Sequence, residues 1–565
     1  MKKLILLITA VLLAFSSCSL NMENSVLDEI EDSLPAITYY SEGLVYYTQT
    51  SSTLREAPSQ PVRDGFVFSG WSYSEDGEPI TEWGSLLTES VTLYAVWELD
   101  ASSSYVFVSE NGNASGDGSQ SAPYASVNAV ITASQGEEVK IFIDGCIKED
   151  ISIPAGKSVT IASLSSPVSF DENGRAVINS ESTEHGVISG QITVESGASL
   201  TLRNVEVSHD DKYSVLIKNG DASLFLDHVA ITTVTGGMAV QISNDSGEVE
   251  GDIILSVEAS AFEINGANAA GISAYESAAL DSSASNSLSL TVSNSSIIQT
   301  EEDTSSVYPI DIEGIDRVDT VIDNTFVSLN DNYYALRYYN VGSDDASSSL
   351  TVTDSELRAW SAIYIQKCSQ NIDAEIRNST LIGSNYNSGD TNDFSTIAVD
   401  STRNVNVDVI DSEVGFAMYG DANQKAASIY YYDNPFIKYG GNSINFYRCS
   451  FSMDGANEFG SGLFASAENY TEYAEDNGNG AKTEFDPLPE ENVITFDQAS
   501  LNNISSRGYI EISEEDLAYE MYVFPTTSFD GNMYYGTATC YNFAIENGAD
   551  LGFARCAVTQ ELADS

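Results

Sequence analysis

Histidine is scarce in this sequence, and its spacing argues against the chemistry that histidine usually performs. The three copies are His185, His209 and His228. Metal sites need ligands at short, fixed intervals, and a catalytic triad needs a histidine that pairs with a nucleophile and a carboxylate. These intervals match neither pattern, and His228 falls inside a strand repeat described below. The histidines therefore predict neither a metal centre nor a hydrolase triad.

Carboxylates are abundant, which weakens the case for any single pair of them. The 565-residue chain has 84 acidic and 23 basic side chains, a net charge of -61, so adjacent pairs such as Asp210-Asp211 and Asp344-Asp345 are expected by chance. The charge repels nucleic acid and anionic lipid. No segment has the spacing of an EF-hand loop. We predict no cofactor and no nucleic-acid partner, with calcium as the alternative left open.

The cysteines are far apart and form no C-x-x-C pair. After Cys18 they are Cys146, Cys368, Cys449, Cys540 and Cys556. We interpret them as small buried residues, with a disulfide between Cys540 and Cys556 as an alternative in an oxidising compartment.

The best candidates for ligand binding are tyrosines, because a phenol combines an apolar face with a hydroxyl. Two long, turn-rich interruptions of the repeat, between Val414 and Phe451 and between Phe451 and Leu501, are interpreted as tyrosine-rich loops. The candidate residues are Tyr430, Tyr431, Tyr432, Tyr439, Tyr470 and Tyr473. They would stack on sugar rings or on partner side chains; alternatively, they cover the edges of the coils.

The first residues predict export. Lys2 and Lys3 precede an apolar run that is too short to span a bilayer, and Ser16-Ser17-Cys18 follows. The pattern resembles a bacterial lipoprotein signal, which implies a signal peptide over 1–17, a lipid on Cys18 and an anchor in the membrane. An ordinary secretory signal with an unmodified Cys18 is the alternative. Residues 18–35 are acidic and polar, as in a tether.

A small domain is predicted over residues 36–99, where short aromatic strands alternate with Gly, Pro and Asp turns. The segment GFVFSGW, which begins at Gly65, and the closing LYAVW, which ends at Trp97, resemble the Listeria-Bacteroides repeat. The resemblance implies a β-grasp-like module of bacterial surface proteins without catalytic residues. Trp71 and Trp97 are expected in its core, because a domain this small needs large aromatic side chains.

Residues 105–134 contain a strand, a glycine-rich turn and a short helical pattern with Val127, Val130 and Ile131 on one face. This arrangement resembles the N-terminal cap of pectin-lyase-like β-helix proteins. Short alternating runs follow, and an octet of the form apolar-x-apolar-x-x-x-x-apolar then recurs ten times at steps of 24 to 50 residues. The octets end at Val207, Ile231, Phe262, Ile297, Phe326, Leu357, Leu381, Val414, Phe451 and Leu501.

Such steps fit one coil of a solenoid in which alternating apolar residues stack inward. We therefore predict an all-β chain with a right-handed parallel β-helix over 135–510 and a C-terminal coil or cap over 511–565. The fifth octet position favours Asn or Asp, which tolerate the left-handed backbone region of a tight turn. The turn residues predicted in this way are Asn204, Asp227, Asn294, Asp323, Asp354, Asn378 and Asp411.

These features favour a non-enzymatic lipoprotein of the cell envelope, at the outer membrane or the cell surface. It would act as an adhesin or as a scaffold that binds a glycan or a host or matrix protein. The alternative is a polysaccharide lyase or glycoside hydrolase, because β-helices of this type host both activities. No catalytic residue can be assigned from the sequence.

Overall fold

The computed structural model divides the chain into two units, 1–105 and 106–565. It describes residues 34–179, 185–209, 213–243, 251–275, 286–300, 306–329, 333–342, 346–368, 371–383, 395–417, 425–430, 440–454, 463–474, 482–484, 491–497, 499–500, 519–527 and 533–542. Within these residues, no helix is both long and apolar enough to cross a lipid bilayer.

The first unit is one mixed sheet whose strand order is β2-β1-β4-β3, with β1 and β4 parallel. The strands are β1 (Ala36–Ser41), β2 (Leu44–Thr50), β3 (Phe66–Ser72) and β4 (Val91–Leu99). Trp71 is buried against Tyr39, with ring centroids 4.9 Å apart, which confirms its predicted place in the core. Trp97 is only half-buried and packs edge-on against Phe68 at 5.6 Å.

The second unit begins with a strand and a short helix, in the segment for which the sequence predicts a cap. Strand β5 (Val106–Ser109) precedes helix α1 (Val127–Ala133), which begins at the N-cap Ser126, whose side chain accepts a hydrogen bond from the Ala129 amide. Val127, Val130 and Ile131 are buried, as their spacing predicts. The helix therefore sets its apolar face into the interior of the unit.

The remaining strands follow in chain order. They are β6 (Glu138–Asp144), β7 (Cys146–Ile147), β8 (Ile151–Ile153), β9 (Ser158–Ala162), β10 (Val168–Phe170), β11 (Ala176–Ile178), β12 (Gly186–Ile188), β13 (Ile192–Glu195), β14 (Ser199–Arg203), β15 (Val205–Ser208), β16 (Tyr213–Lys218), β17 (Ser223–Asp227), β18 (Ala230–Thr232), β19 (Met238–Ile242), β20 (Gly251–Glu258), β21 (Ala261–Glu263), β22 (Ala270–Tyr275), β23 (Asn286–Ser293), β24 (Ser296–Ile298), β25 (Tyr308–Glu313), β26 (Arg317–Asp323), β27 (Phe326–Ser328), β28 (Tyr334–Tyr339), β29 (Ser348–Thr353), β30 (Glu356–Ala359), β31 (Ser361–Gln366), β32 (Ile372–Arg377), β33 (Thr380–Gly383), β34 (Ser395–Asp400), β35 (Val405–Ile410), β36 (Glu413–Ala417), β37 (Lys425–Tyr430), β38 (Ser443–Tyr447), β39 (Ser450–Asp454), β40 (Leu463–Ala474), β41 (Lys482–Glu484), β42 (Val493–Phe496), β43 (Tyr519–Thr527) and β44 (Met533–Asn542).

Three long sheets confirm the parallel β-helix. Sheet 1 has 13 strands from β5 to β42, sheet 2 has 11 strands from β7 to β39, and sheet 3 runs from β8 to β40 and on to β44 and β43. Successive coils pair in parallel in each sheet, whereas β41, β43 and β44 pair antiparallel at the end of sheet 3. Each regular coil contributes one strand to sheet 1, then one to sheet 2, then one to sheet 3.

The octets bury their apolar positions by stacking identical columns. Leu224 and Leu226 of β17, for example, lie in register with Leu255 and Val257 of β20, and all four are buried. Burying a side chain of this size contributes roughly 1.5–3 kcal/mol. The repetition of such columns makes one continuous core in which each coil is stabilised by its neighbours.

A residue with positive φ turns the chain from sheet 1 to sheet 2. These residues are Asn204, His228, Ala259, Asn294, Asn324, Asp354, Asn378, Asp411 and Arg448. Two predicted turn positions are therefore wrong by one residue: His228 replaces Asp227, and Asn324 replaces Asp323. The second error arose because Val327, not Phe326, is the buried residue of that coil. His228, whose side chain is buried, adopts the positive φ at a position where most coils have Asn or Asp.

Asn378 offers a direct test of the left-handed turn. Its φ is 49° and its side chain is exposed, so a β-carbon without a stabilising amide should be costly here. We expect Asn378→Ala to lower the free energy of unfolding by about 1 kcal/mol and Asn378→Gly to change it by less. Urea denaturation of both variants checks this. Equal losses in the two variants would show that the side chain, not the backbone angle, matters.

A buried ladder of hydroxyl groups follows the turn. Ser355 Oγ accepts from the Thr325 amide at 3.0 Å and donates to the Thr353 carbonyl at 2.6 Å, and Ser379 Oγ accepts from the Ser355 amide at 3.2 Å. Cys449 occupies the same position and is buried, as predicted for a small residue, and burial raises the pKa of its thiol to about 11. The ladder satisfies amides that the turn withdraws from the sheets.

Ser355→Ala should therefore leave the Thr325 amide without an acceptor inside the protein. We expect the free energy of unfolding to fall by about 1–3 kcal/mol, the penalty for a buried unsatisfied donor. Ser355→Thr is the matched control, because threonine already occupies this position at residue 325. Chemical denaturation of both variants separates the lost hydrogen bond from a packing effect, since the threonine variant adds volume but keeps the hydroxyl.

A hairpin formed by β10 and β11 packs on the outer face of sheet 2. Val168 and Ala176 bury themselves against Ala230 and Ala261. Near the hairpin, the Arg175 guanidinium lies 3.6 Å from the centre of the Phe326 ring and 2.6 Å from Glu356 Oε2. The hairpin thus ties an early coil to one that lies 181 residues later in the chain.

Candidate functional site

The corner of a coil is the segment that joins its sheet 2 strand to its sheet 3 strand, and in one coil this corner is a single residue. Only Trp360 separates β30 from β31, whereas five residues separate β27 from β28 and eleven separate β33 from β34 in the sequence. Every other corner between strands of these two sheets is longer. Trp360 is therefore the one residue that joins the sheet 2 strand of this coil to its sheet 3 strand.

Five aromatic side chains gather at this place and form what we call the aromatic corner. They are Tyr308, Tyr333, Tyr334, Trp360 and Tyr364. The rings of Tyr334 and Tyr364 stack with centroids 4.2 Å apart at 3°, and Tyr333 lies 4.8 Å from Trp360. Such spacings allow favourable aromatic packing. Tyr308, Tyr333 and Tyr334 are partly exposed, whereas Trp360 and Tyr364 are buried beneath them, with 6% and 7% of their surface exposed.

A row of charged side chains lies beside these rings on sheet 3, and we call it the charged row. It consists of Asp311, Glu313, Arg337, Lys367 and Asp400. The strand register brings Asp311, Arg337 and Tyr364 into adjacent positions on β25, β28 and β31. Adjacent strands lie about 4.8 Å apart, so residues in register on this face can contact one another.

Arg337 is the centre of the charged row. Its Nε and Nη2 donate to the two Asp311 oxygens at 2.7 and 2.9 Å, and Nη2 contacts Glu313 at 3.4 Å. The guanidinium also lies 5.0 Å from the Tyr308 ring centre and 5.1 Å from that of Tyr339. Planar bidentate pairing of this kind fixes orientation as well as charge.

Asp400 forms a second, fully buried junction. Its oxygens accept from Tyr364 Oη at 3.0 Å, Gln366 Nε2 at 2.7 Å and Ser401 Oγ at 2.8 Å. Tyr430 Oη donates to Tyr364 Oη at 3.2 Å. A buried carboxylate requires such donors. The junction therefore fixes the hydroxyl end of Tyr364, while the stack with Tyr334 fixes its ring.

Burial shifts the pKa of several groups at the site. It raises the pKa of Glu313 despite the opposing charge of Arg337, and it raises the pKa of Tyr308, Tyr334 and Tyr364. Burial also disfavours the Arg337 cation, but the hydrogen bonds and charge of Asp311 outweigh it and raise the pKa of Arg337. The phenols stay neutral, and shifts of this kind concentrate at functional sites.

Of the tyrosines predicted to bind ligand, Tyr430 contacts this site. It ends strand β37, so the loop predicted there is wrong for Lys425–Tyr430. Tyr470 and Tyr473 likewise lie on the long strand β40, which pairs with β44, and not in a loop. Tyr431, Tyr432, Tyr439 and Cys18 lie outside the described residues. Ligand binding by these tyrosines stays a prediction.

The sequence reasoning missed the aromatic corner because the octet covers only two of the three strands in each coil. Extending each octet to the next strand would have shown that YPIDIE, YALRYY and SAIYIQ are successive strands of sheet 3 and that each contains a tyrosine. Aromatic residues recurring at one strand of consecutive coils would then have been the signal. The single-residue corner at Trp360 could also be recognised in the sequence once the three strands of each coil are assigned.

The histidines and acidic groups give no metal centre in the described part of the chain. There, no group of three or more His, Cys, Asp or Glu side chains is placed to hold an ion. His185 Nε2 lies 2.8 Å from Glu206, and the buried His228 has Nδ1 at 2.6 Å from Asp227. Each of these contacts orients an imidazole ring beside a carboxylate.

Comparison with known proteins identifies one part of the chain. Residues 36–96 match the Listeria-Bacteroides repeat domain family, which confirms the resemblance seen in GFVFSGW and LYAVW. This family is typical of bacterial surface proteins. The chain matches no curated protein and no solved structure. The function of the β-helix must therefore be argued from its own geometry.

Proposed function

We propose that the chain is a cell-envelope scaffold that binds a glycan at the aromatic corner. The observation that carries this proposal is the stacked pair Tyr334 and Tyr364, which lie on the paired strands β28 and β31 of sheet 3. Aromatic faces with hydrogen-bonding groups beside them suit pyranose rings, which have apolar C–H faces edged by hydroxyls. Here the partly exposed Asp311, Glu313 and Arg337 of the charged row supply the hydrogen-bonding groups.

The carboxylates of the site are held by internal hydrogen bonds, which favours binding of a glycan over its cleavage. Asp311 is held by Arg337, and Asp400 is buried among three donors, so neither carboxylate is placed as an acid or base in water. A site built on strands also keeps its geometry without ligand, which lowers the ordering entropy lost on binding.

Trp360 provides a built-in reporter for the test. The other tryptophans, Trp71, Trp83 and Trp97, lie in the first unit, so a change in fluorescence from the β-helix comes from Trp360. We expect at least one member of a polysaccharide panel to shift the emission of the full chain. The same titration of Trp360→Phe, which keeps an aromatic ring, should show binding by calorimetry without that emission change.

Two results would overturn this proposal. Binding of matrix proteins but of no polysaccharide would assign the corner to a protein ligand. New reducing or unsaturated ends in the incubated polysaccharides would mean that the protein is an enzyme, and the carboxylates of the charged row would then need reassignment.

The proposed envelope location rests on one sequence feature and one family match. The surface-type repeat over residues 36–96 and the apolar run before Cys18 both fit a chain that is exported and then anchored by a lipid on Cys18. Mass spectrometry of the native N-terminal peptide tests this. A diacylglycerol adduct that disappears in Cys18→Ser supports the anchor, and an unmodified Cys18 in the mature protein contradicts it.

A further inference from the structure

We infer that the aromatic corner selects a neutral glycan over acidic or cationic ones. This inference rests on the proposed function and adds the charge class of the ligand. It follows from one property of the site: each charged group of the charged row already has an ion-pair or hydrogen-bond partner inside the protein, so a charged ligand would have to displace an internal contact to gain a counter-charge.

The two cations of the row are paired. Arg337 holds Asp311 through two hydrogen bonds and contacts Glu313, and its side chain is only 17% exposed. Lys367 Nζ lies 3.0 Å from Tyr339 Oη and 5.2 Å from the centre of the same ring. A uronate or sulfate would have to displace one of these contacts to gain a cation, and the cost of breaking a half-buried pair opposes that.

The carboxylates are equally engaged. Asp311 accepts from Arg337 on both oxygens, and Asp400 is fully buried with three donors. The faces of Tyr308 and Tyr339 already lie near the Arg337 guanidinium. A cationic ligand therefore meets carboxylates and ring faces that are already compensated, although the net charge of the chain attracts it from a distance.

What remains for a ligand is apolar ring surface and the second lone pairs of bound oxygens. Neutral sugars use both, because a hydroxyl can donate to the partly exposed oxygens of Glu313 and Asp311 while the sugar ring stacks on a tyrosine. Three carboxylates and two cations also leave the row with a net charge of -1, which adds repulsion toward an acidic glycan. Like charges placed together at an interface weaken binding.

The test compares glycans that share a backbone and differ in charge. Oligomers of glucose, mannose and galactose are titrated into the full chain, together with the C6-carboxyl derivative of each and with glucosamine oligomers. We expect the neutral member that binds to exceed its acidic counterpart by at least tenfold in affinity and to be insensitive to salt.

Glu313→Gln is the diagnostic variant, because it removes the extra carboxylate of the row and should narrow the gap between neutral and acidic oligomers. Asp319→Asn is the matched control on sheet 1, and it should leave the gap unchanged. Equal or tighter binding of the acidic or cationic oligomers would overturn this inference while the proposed function stands. If no oligomer binds, the proposed function itself fails.

Discussion

Arg337→Met is expected to lower the free energy of unfolding by about 3 kcal/mol, the largest effect of any single change at the site. Removing the cation leaves Asp311 and Glu313 close together, with side-chain exposures of only 13% and 24%. Breaking one partner out of a buried ion pair typically costs about 3–5 kcal/mol. Urea denaturation of the full chain near neutral pH measures the loss.

The loss should shrink as the solution is made acidic. Burial already raises the pKa of Glu313 in the folded protein, and losing Arg337 removes the opposing charge and raises this pKa further. A carboxyl whose pKa is raised by folding stabilises the fold in its protonated form, and this contribution is lost as pH rises through that pKa. The variant should therefore approach the wild type at low pH.

Two further variants make this result interpretable. Arg337→Lys keeps the charge but not the planar bidentate pairing, and we expect an intermediate loss. Adding Asp311→Asn to Arg337→Met should recover part of the stability, since the uncompensated charge is then halved. If Arg337→Met alone were as stable as the wild type near neutral pH, the charged row would not be an electrostatic unit.

The fold was largely predictable because one physical requirement repeats in every coil. Inward apolar residues must alternate along a strand and must align with the coils above and below, so the octets show the pattern directly. A different signal, the helical spacing of Val127, Val130 and Ile131, indicated α1, and the small size of the first unit indicated Trp71 in its core. The errors at Asp227 and Asp323 arose where two polar residues adjoin and only the backbone angle distinguishes them.

The site was less predictable because it depends on register across coils. Tyr334 and Tyr364 lie in different coils, and nothing in either local sequence shows that their rings stack. Arg337 and Asp311 are likewise brought together by the parallel pairing of β25 and β28. Composition points to Tyr430 as part of a tyrosine run, but it does not show that Tyr430 ends strand β37.

Tyr334→Ala is expected to weaken glycan binding by about 30-fold, because it removes one face of the stack and the support of the other. Truncation of a central tyrosine at a binding interface often costs about 2 kcal/mol or more, which corresponds to that factor. Tyr334→Phe keeps the ring and should bind nearly as well as the wild type. Calorimetric titration with the best glycan of the panel measures both variants.

Tyr447→Ala is the matched control for this prediction, because Tyr447 is an exposed tyrosine on the outer face of sheet 1. It should leave the glycan affinity unchanged. A lower affinity in this variant as well would indicate that removing any exposed tyrosine perturbs the β-helix. Full affinity in Tyr334→Ala would place the ligand elsewhere, and the tyrosines that follow Tyr430 would be the next to replace. Weakened binding in Tyr334→Ala with an unchanged urea midpoint would assign the stacked pair to recognition, since the protein would then lose its ligand without losing its fold.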